Sequence, residues 1–395
     1  MPDNLFKISA VSKSTGARLA ELALLHGTVQ TPVFLPVGSQ ATVRTLTPGD
    51  LEEIGIKMIL CNAYHLYLRP GVDLIVKAGG LHKFMGWAKP ILTDSGGYQI
   101  FSLSSLRKIS EDGVLFRSHV DGSEHRITPE KAISMQQDLG ADIIMVLDVC
   151  PDSGSKQEDL AGTIPITTRW AERCQRAYRN NGQLLFGIIQ GGIYRQLRET
   201  SAEQITALDF PGYAIGGLSL GESKSDMWDT VDYTVKLMPL DKPRYLMGVG
   251  SPEDIFEGIT RGIDIFDSAL PTRVARNGAL YTRKGRVNIR RFIYRDKLEP
   301  VEASCKCFTC CNFTAAYLHH LFKCEELLAY RLATIHNLFF MNNLLDEIRR
   351  SISENRFKEK KTEFLSNYQT THEDKRIEQK IRSVEIKRGK EFTDC

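Results

Sequence analysis

Short apolar runs along the chain stop abruptly at polar or glycine-rich turns. Eight recur in order: PVFLPV, MILCNA, ILTDSGG, DIIMVLD, LLFGIIQGG, YAIGGL, YLMGVG and DIFDSAL. Most alternate with helix-like stretches. PEKAISMQQDLG follows the N-cap candidate Thr128, starts on Pro129 and closes at Gly140; SPEDIFEGITRG opens on Ser251 and Pro252 and closes at Gly262. Continuous apolar runs alternating with helices mark parallel strands covered by helices. Eight such units predict an α/β protein built on a closed (β/α)8 TIM-type barrel rather than an open sheet.

The polar residues cluster where each strand finishes: Asn62, Asp94, Asp148, Gln190, Gly217, Gly248 and Asp267. A barrel brings those ends to one face, so these residues are expected to line one pocket. One aspartate alone reads as a turn or cap residue. Three aspartates and a glutamine on one face read as a site.

Before the barrel, short alternating runs around an HG turn predict a small antiparallel hairpin closing its base. After it, Leu338, Met341, Leu345, Ile348 and Ile352 recur at spacings of three and four, which predicts a helix with one buried stripe. From Ser351 the chain is mixed in charge and poor in apolar residues, so a surface-helical or partly disordered tail is expected. The expected organisation is an N-terminal hairpin region over 1–30, a catalytic barrel with insertions over 31–300, a zinc-binding helical subdomain over 301–350 and a charged tail over 351–395.

Composition narrows the class. The 395 residues are 42% hydrophobic and 25% charged, with no long uncharged apolar run able to cross a bilayer. MPDNLFKISA lacks the features of a secretory signal, so a reducing cytoplasm is expected, where clustered thiols mean metal or catalysis before disulfides. The net charge of +3 is too small to announce a nucleic-acid partner. It is unevenly spread: Leu270 to Lys297 holds nine Lys and Arg against one acid, interleaved with Tyr281, Phe292 and Tyr294. That stripe reads as a phosphate-backbone footprint, against the plainer reading of a charge-protected strand edge.

Two groups of residues carry chemistry. CKCFTC sets Cys305, Cys307 and Cys310 in a C-x-C-x-x-C knuckle suited to tetrahedral zinc; spacing alone leaves the fourth ligand open among Cys311, His319, His320, Cys324 and His336. Three cysteines and a histidine leave no open position, so such a site is structural. In LTDSGGYQIFSL, Asp94 is followed by Ser95, Gly96 and Gly97, where a ligand can approach the backbone, and by Tyr98, on which a heterocycle can stack. Asp148 and Gln190 can read the edge of a purine-like base, and Gly216, Gly217 and Leu218 add backbone groups. Asp267 ends the last run just before the basic stripe. Two carboxylates facing one another suit acid/base work or a covalent glycosyl intermediate; beside a base-reading wall and a basic stripe they point to a ribosyl bond in RNA.

The motifs TPVFLPVGSQATVRTLTP, NAYHLYLRPG, DSGGYQIFSL, IIQGG, GGLS, MGVGSPED, FDSALPTRVARNG, CKCFTC and IHNL cover nearly the whole chain. Through them it closely resembles bacterial tRNA-guanine transglycosylases, the queuine tRNA-ribosyltransferases. The resemblance implies a homodimeric enzyme with one zinc per chain. Its reaction would exchange guanine at the wobble position of tRNA with a GUN anticodon for a 7-deazaguanine base. By matching motif, Asp267 would be the nucleophile at ribose C1′ and Asp94 the general acid/base. Asp148, Gln190, Gly217 and Leu218 would hold the base by its edges, with Ser95, Gly96 and Gly97 beside it, and Tyr98 and Met247 would sandwich it. Gly248, Val249, Gly250, Ser251, Pro252, Glu253 and Asp254 would contact the RNA backbone, and Thr272, Arg273, Val274, Ala275 and Arg276 the wobble region. The family pattern makes His336 the fourth zinc ligand.

Departures from the pattern lie at Val149, where bacterial members commonly carry an acid, at Leu220, usually a smaller valine, and at Ser268, commonly cysteine. Glu222 and Cys150 keep the bacterial pattern, which favours 7-aminomethyl-7-deazaguanine over queuine as the incoming base. A retaining glycosidase, or a non-catalytic tRNA-binding subunit, are the competing readings; the first leaves the knuckle and the basic stripe unexplained, the second the paired Asp94 and Asp267.

Overall fold

The structure is a computed structural model, and it describes residues 5–103, 107–150 and 154–370. Eight parallel strands close into the barrel: β4 (Val33–Gly38), β5 (Ile59–Asn62), β6 (Ile91–Asp94), β10 (Ile143–Met145), β11 (Leu184–Ile189), β12 (Gly212–Ile215), β13 (Arg244–Leu246) and β14 (Ile265–Ser268). Each overlaps one of the eight predicted runs, with Gly38, Gly212 and Arg244 one residue outside theirs. Strand β14 returns to β4, pairing Phe266 with Phe34 and Asp267 with Leu35. Strands β5, β6, β10, β12, β13 and β14 are buried at every position, which is why their sequences are continuously apolar.

The helices begin and end where the chain signals it. Thr128 caps Pro129–Leu139, which stops at Gly140 with φ +79°. Ser251 caps Pro252–Thr260.

The predicted N-terminal hairpin is a three-stranded antiparallel sheet of β1 (Phe6–Val11), β2 (Arg18–Leu24) and β3 (Gly27–Thr31). Buried Arg18 ties it to the barrel through both oxygens of Asp264, at the start of β14. A second antiparallel sheet, of β7 (Arg107–Ser110), β8 (Gly113–Arg117) and β9 (Glu124–Ile127), interrupts the barrel after β6.

The basic region is not one strand. It comprises a helix, Leu270–Arg276, the hairpin of β15 (Ala279–Thr282) and β16 (Gly285–Asn288), and a short 3-10 turn. Several of its charges have structural partners: Arg283 pairs with Glu347, and Arg290 donates to the carbonyl of Phe322. Of its aromatics, Tyr281 and Tyr294 are buried and only Phe292 is largely exposed. The continuous footprint read from sequence is therefore shorter than the run of basic residues.

Helix Leu327–Ser353 packs the predicted stripe Leu338, Met341, Leu345, Ile348 and Ile352 inward. The first part of the tail is not loose: Phe357–Asn367 is a helix whose buried Phe357 and Phe364 stack on Phe256 of the barrel layer. Residues 371–395 lie outside the described chain.

Candidate active site and metal centre

Asp94 ends β6 and is 8% exposed. Asn62 Nδ2 donates to its Oδ2 at 2.6 Å and the Ala63 N–H to its Oδ1 at 3.1 Å. The Asn62 amide cannot turn freely, because its Oδ1 caps the next helix by accepting from the His65 N–H. Burial pushes the Asp94 carboxyl up to about 8, and the charges of Asp267 and Asp148 push the same way against the Ala63 hydrogen bond. Near neutral pH Asp94 is an acid holding its proton.

Asp267, in β14, has a different setting. Tyr245 Oη donates to its Oδ1 at 2.6 Å and the Gly248 N–H to the same oxygen at 2.8 Å. Burial raises this carboxyl above its ordinary value, and these two donors pull it back. Because both donors fall on Oδ1, Oδ2 is left to face an electrophile. Two buried carboxyls held by different donors can serve as paired acid and nucleophile.

Asp148 and Gln190 meet on the opposite wall, with Gln190 Nε2 donating to Asp148 Oδ2 at 2.5 Å. Burial raises Asp148 to about 6, and the Gln190 hydrogen bond lowers it. Gln190 Oε1 is buried and has no partner among the described residues, so it is an acceptor waiting for a donor. Glycine makes the approach possible. A Cβ on Gly97 would stand 2.7 Å from Asp148 Oδ1, and one on Gly216 2.6 Å from Gln190 Nε2. Ser95 and Leu218 are buried beside the wall, Met247 is partly buried and Tyr98 is half-exposed. Together these groups can take a flat heterocycle with several N–H donors.

On the outer side of the barrel, Cys305, Cys307, Cys310 and His336 converge, their Sγ atoms 3.8, 3.5 and 3.3 Å from His336 Nδ1. Tetrahedral zinc, with bonds of about 2.3 Å to sulfur and 2.0 Å to nitrogen, sets sulfur and nitrogen about 3.5 Å apart. The other ring nitrogen, Nε2, lies 2.7 Å from the Tyr281 carbonyl, which holds that nitrogen as the donor and leaves Nδ1 free to ligate. The four side chains could hold one metal ion. Of the other ligand candidates, Cys311, His320 and Cys324 are exposed, and buried His319 pairs with the Ile289 carbonyl.

Comparison with known proteins gives the family. The profile of a family described as queuine tRNA-ribosyltransferase matches residues 12–370. The chain belongs to that family. A protein named queuine tRNA-ribosyltransferase from Dehalococcoides mccartyi is 57% identical over 378 residues, 96% of each chain. One of the same name from Pelotomaculum thermopropionicum is 56% identical over 92% of this chain and 98% of its own. One from Halothermothrix orenii is 54% identical over 90% and 95%. As a member of the queuine tRNA-ribosyltransferase family the chain is a tRNA-guanine transglycosylase, acting in queuosine modification.

Within the family's barrel, sequence reading passed over three supports. Tyr245 looks like any core tyrosine of an apolar run, yet its hydroxyl holds Asp267. Arg198, on a polar helix, is fully buried and donates to the carbonyls of Ile189, Gly192 and Gly216, fixing the loops after β11 and β12. Glu222, noted only as part of the family pattern, accepts from the N–H groups of Ser219, Leu220 and Gly221 and so clamps the loop carrying Gly217 and Leu218.

The residues assigned to RNA by resemblance are placed unevenly. Gly248 is exposed, Glu253 partly exposed, and Val249, Gly250, Ser251 and Pro252 are buried; Asp254 is buried against Lys224. Arg273 is exposed, Arg276 and Val274 partly so, and Thr272 and Ala275 are buried. Arg276 has its pKa lowered by burial and by the charges of Arg44 and Arg273, which marks a cluster of three guanidiniums.

Proposed function

We propose that the chain replaces guanine at the wobble position of tRNA with a GUN anticodon by two displacements at ribose C1′. Asp267 Oδ2 attacks C1′ as the C1′–N9 bond to guanine breaks, and Asp94 gives its proton to N9 of the departing base. The tRNA is then held as an Asp267 ester. The incoming base loses its N9 proton to Asp94, bonds to C1′ and releases Asp267. Protons balance over the cycle, and Asp94 returns to its starting state.

The observation that carries this reading is the different setting of two buried carboxyls: Asn62 and Ala63 donate to separate oxygens of Asp94, whereas Tyr245 and Gly248 both donate to Oδ1 of Asp267 and leave Oδ2 to react. Asp148, with the unpartnered Gln190 Oε1, supplies acceptors for the N–H groups of a guanine edge, with Gly217 and Leu218 closing that wall. Tyr98 and Met247 cover its faces. The guanidinium cluster of Arg44, Arg273 and Arg276, with exposed Gly248 at the head of the segment Gly248 to Asp254, suits the tRNA phosphates.

The incoming base is 7-aminomethyl-7-deazaguanine rather than queuine. Leu220 is partly buried against the core, on the loop clamped by Glu222, and a side chain of that size crowds a cyclopentenediol. Cys305, Cys307, Cys310 and His336 hold one structural zinc, whose chemistry is to fix the subdomain rather than to touch the substrate. Phe292, Leu298 and Leu327 stand 71%, 75% and 80% exposed around that subdomain, and a second copy of the chain would cover them in a homodimer.

Labelled guanine offered with unmodified GUN-anticodon tRNA tests the reading. Label enters the tRNA with wild-type chain and not with Asp267→Asn. Wild-type chain that incorporates no label sinks it. The same assay with the two deazaguanine bases in competition decides the substrate.

A further inference from the structure

At the end of the barrel opposite the catalytic carboxyls, three segments far apart in sequence meet. His26 sits in the turn between β2 and β3, His82 in the helix Leu81–Met85, and Asp142 just before β10. His26 Nδ1 is 3.0 Å from Asp142 Oδ1 and His82 Nε2 is 3.3 Å from Asp142 Oδ2, with all the donor atoms within 4.8 Å of one another. The imidazoles are stacked, centroids 3.6 Å apart and planes 19° from parallel, so both rings present a nitrogen to the same carboxylate.

A pair of histidine–carboxylate hydrogen bonds would explain part of this, but not all. His82 Nε2 is buried and, despite its short separation from Asp142, makes no well-directed hydrogen bond. Asp142 is fully buried and already anchored by the backbone N–H groups of His26 and Ile91, each at 2.8 Å. Those bonds orient a ligating carboxylate as outer-shell partners do at metal sites. The histidines border a cavity of about 330 Å³, large enough for water ligands, and Gln183 on its wall has a buried Oε1 without a partner among the described residues. Two imidazoles and a carboxylate suit a borderline divalent cation, and open positions remain for water.

We propose that His26, His82 and Asp142 form a second metal site, for a divalent cation of the zinc, cobalt and nickel class, at the base of the barrel. The cation ties the N-terminal sheet to the helix Leu81–Met85 and to the start of β10. This is the face of such barrels where residues serve stability rather than catalysis. Lys83 also lines the cavity and places a positive charge near the cation, so it weakens the site.

Equilibrium dialysis of the full chain against zinc, followed by elemental analysis, tests the proposal. The readout is the difference between wild type and variants, which does not depend on how the Cys305 cluster is filled. Wild type is expected to hold one equivalent more than His26→Gln or His82→Gln, while Lys83→Ala holds as much as wild type or binds more tightly. With cobalt, the extra equivalent shows weak visible bands without thiolate charge transfer. Zinc raises the melting temperature of wild type further than that of either histidine variant. Unchanged base exchange in the variants shows that they are folded. Equal metal content in wild type and both histidine variants overturns the proposal, as does a thiolate band on the extra equivalent.

Discussion

Replacing Asp94 by asparagine should sharply slow exchange and, at neutral pH, make the protein more stable. A buried carboxyl raised from its ordinary 3.8 to about 8 binds a proton in the folded state that the unfolded chain has released. Stability therefore falls as pH rises through that window. At pH 7 the window spans about three pH units, and at about 1.4 kcal/mol per unit the penalty is about 4 kcal/mol. At pH 5 it is only about 2 kcal/mol by the same conversion.

Asparagine stays neutral and escapes this term. It has one carbonyl oxygen, however, where Asp94 offers two oxygens to the Asn62 amide and the Ala63 N–H, and Asn62 is held by its cap. One donor is left unpaired, at a cost of about 1–3 kcal/mol. The difference should thus be near zero at pH 5, about 1–3 kcal/mol in favour of Asp94→Asn at pH 7, and larger at pH 8. Melting of both proteins in matched buffers at pH 5, 7 and 8 measures it. Exchange in the variant should fall by at least about 10²-fold for the lost general acid. A stability difference that does not change between pH 5 and pH 8, or a wild type that is the more stable at pH 8, refutes the reasoning.

Tyr245→Phe removes one of two donors to Asp267; a hydrogen bond to a charged acceptor worth about 1.5–3 kcal/mol shifts the acid limb of the exchange pH profile upward by about 1–2 units. An unmoved limb means that Tyr245 does not hold the nucleophile. Gly97→Ala forces a methyl against Asp148 and should raise KM for the base while leaving the fold's melting temperature within a few degrees; unchanged KM speaks against Asp148 as a base reader. Phe364→Ala, which empties a buried position on Phe256, should cost about 3–5 kcal/mol in unfolding experiments. A cost below about 1 kcal/mol would mark the Phe357–Asn367 helix as loosely held.

The barrel was legible because parallel strands buried on both faces must be apolar throughout, and because their polar residues gather at one end. The sheet of β7, β8 and β9 left no such mark. Its strands show mixed burial, with Val114 and Phe116 turned inward and Lys108, Ile109 and Ser110 exposed. Short alternating segments of that kind are hard to separate from loop. Charge misled for a related reason. A run of basic residues states how much charge is present but not how it is used, and Arg283 and Arg290 are spent on Glu347 and the Phe322 carbonyl.

Two supports of the candidate site follow from neighbour relations that no single segment contains. Tyr245 and Asp267 lie on adjacent strands, with Leu246 opposite Phe266, so the hydroxyl reaches the carboxyl only once β13 and β14 are in register. Arg198 reads as a solvated helix residue until the helix packs, when its guanidinium becomes the donor for three carbonyls at two strand ends. Burial lowers its pKa to about 9, and the charge of Glu222 pulls it back up. The proposed catalytic acids were visible because chemistry demands their residue types. Their supports were not, because tyrosine and arginine serve many structural ends and only barrel closure makes these two specific. Sites of this kind are therefore best read from sequence as a list of reacting groups, and from structure as the set of donors that set each group's protonation.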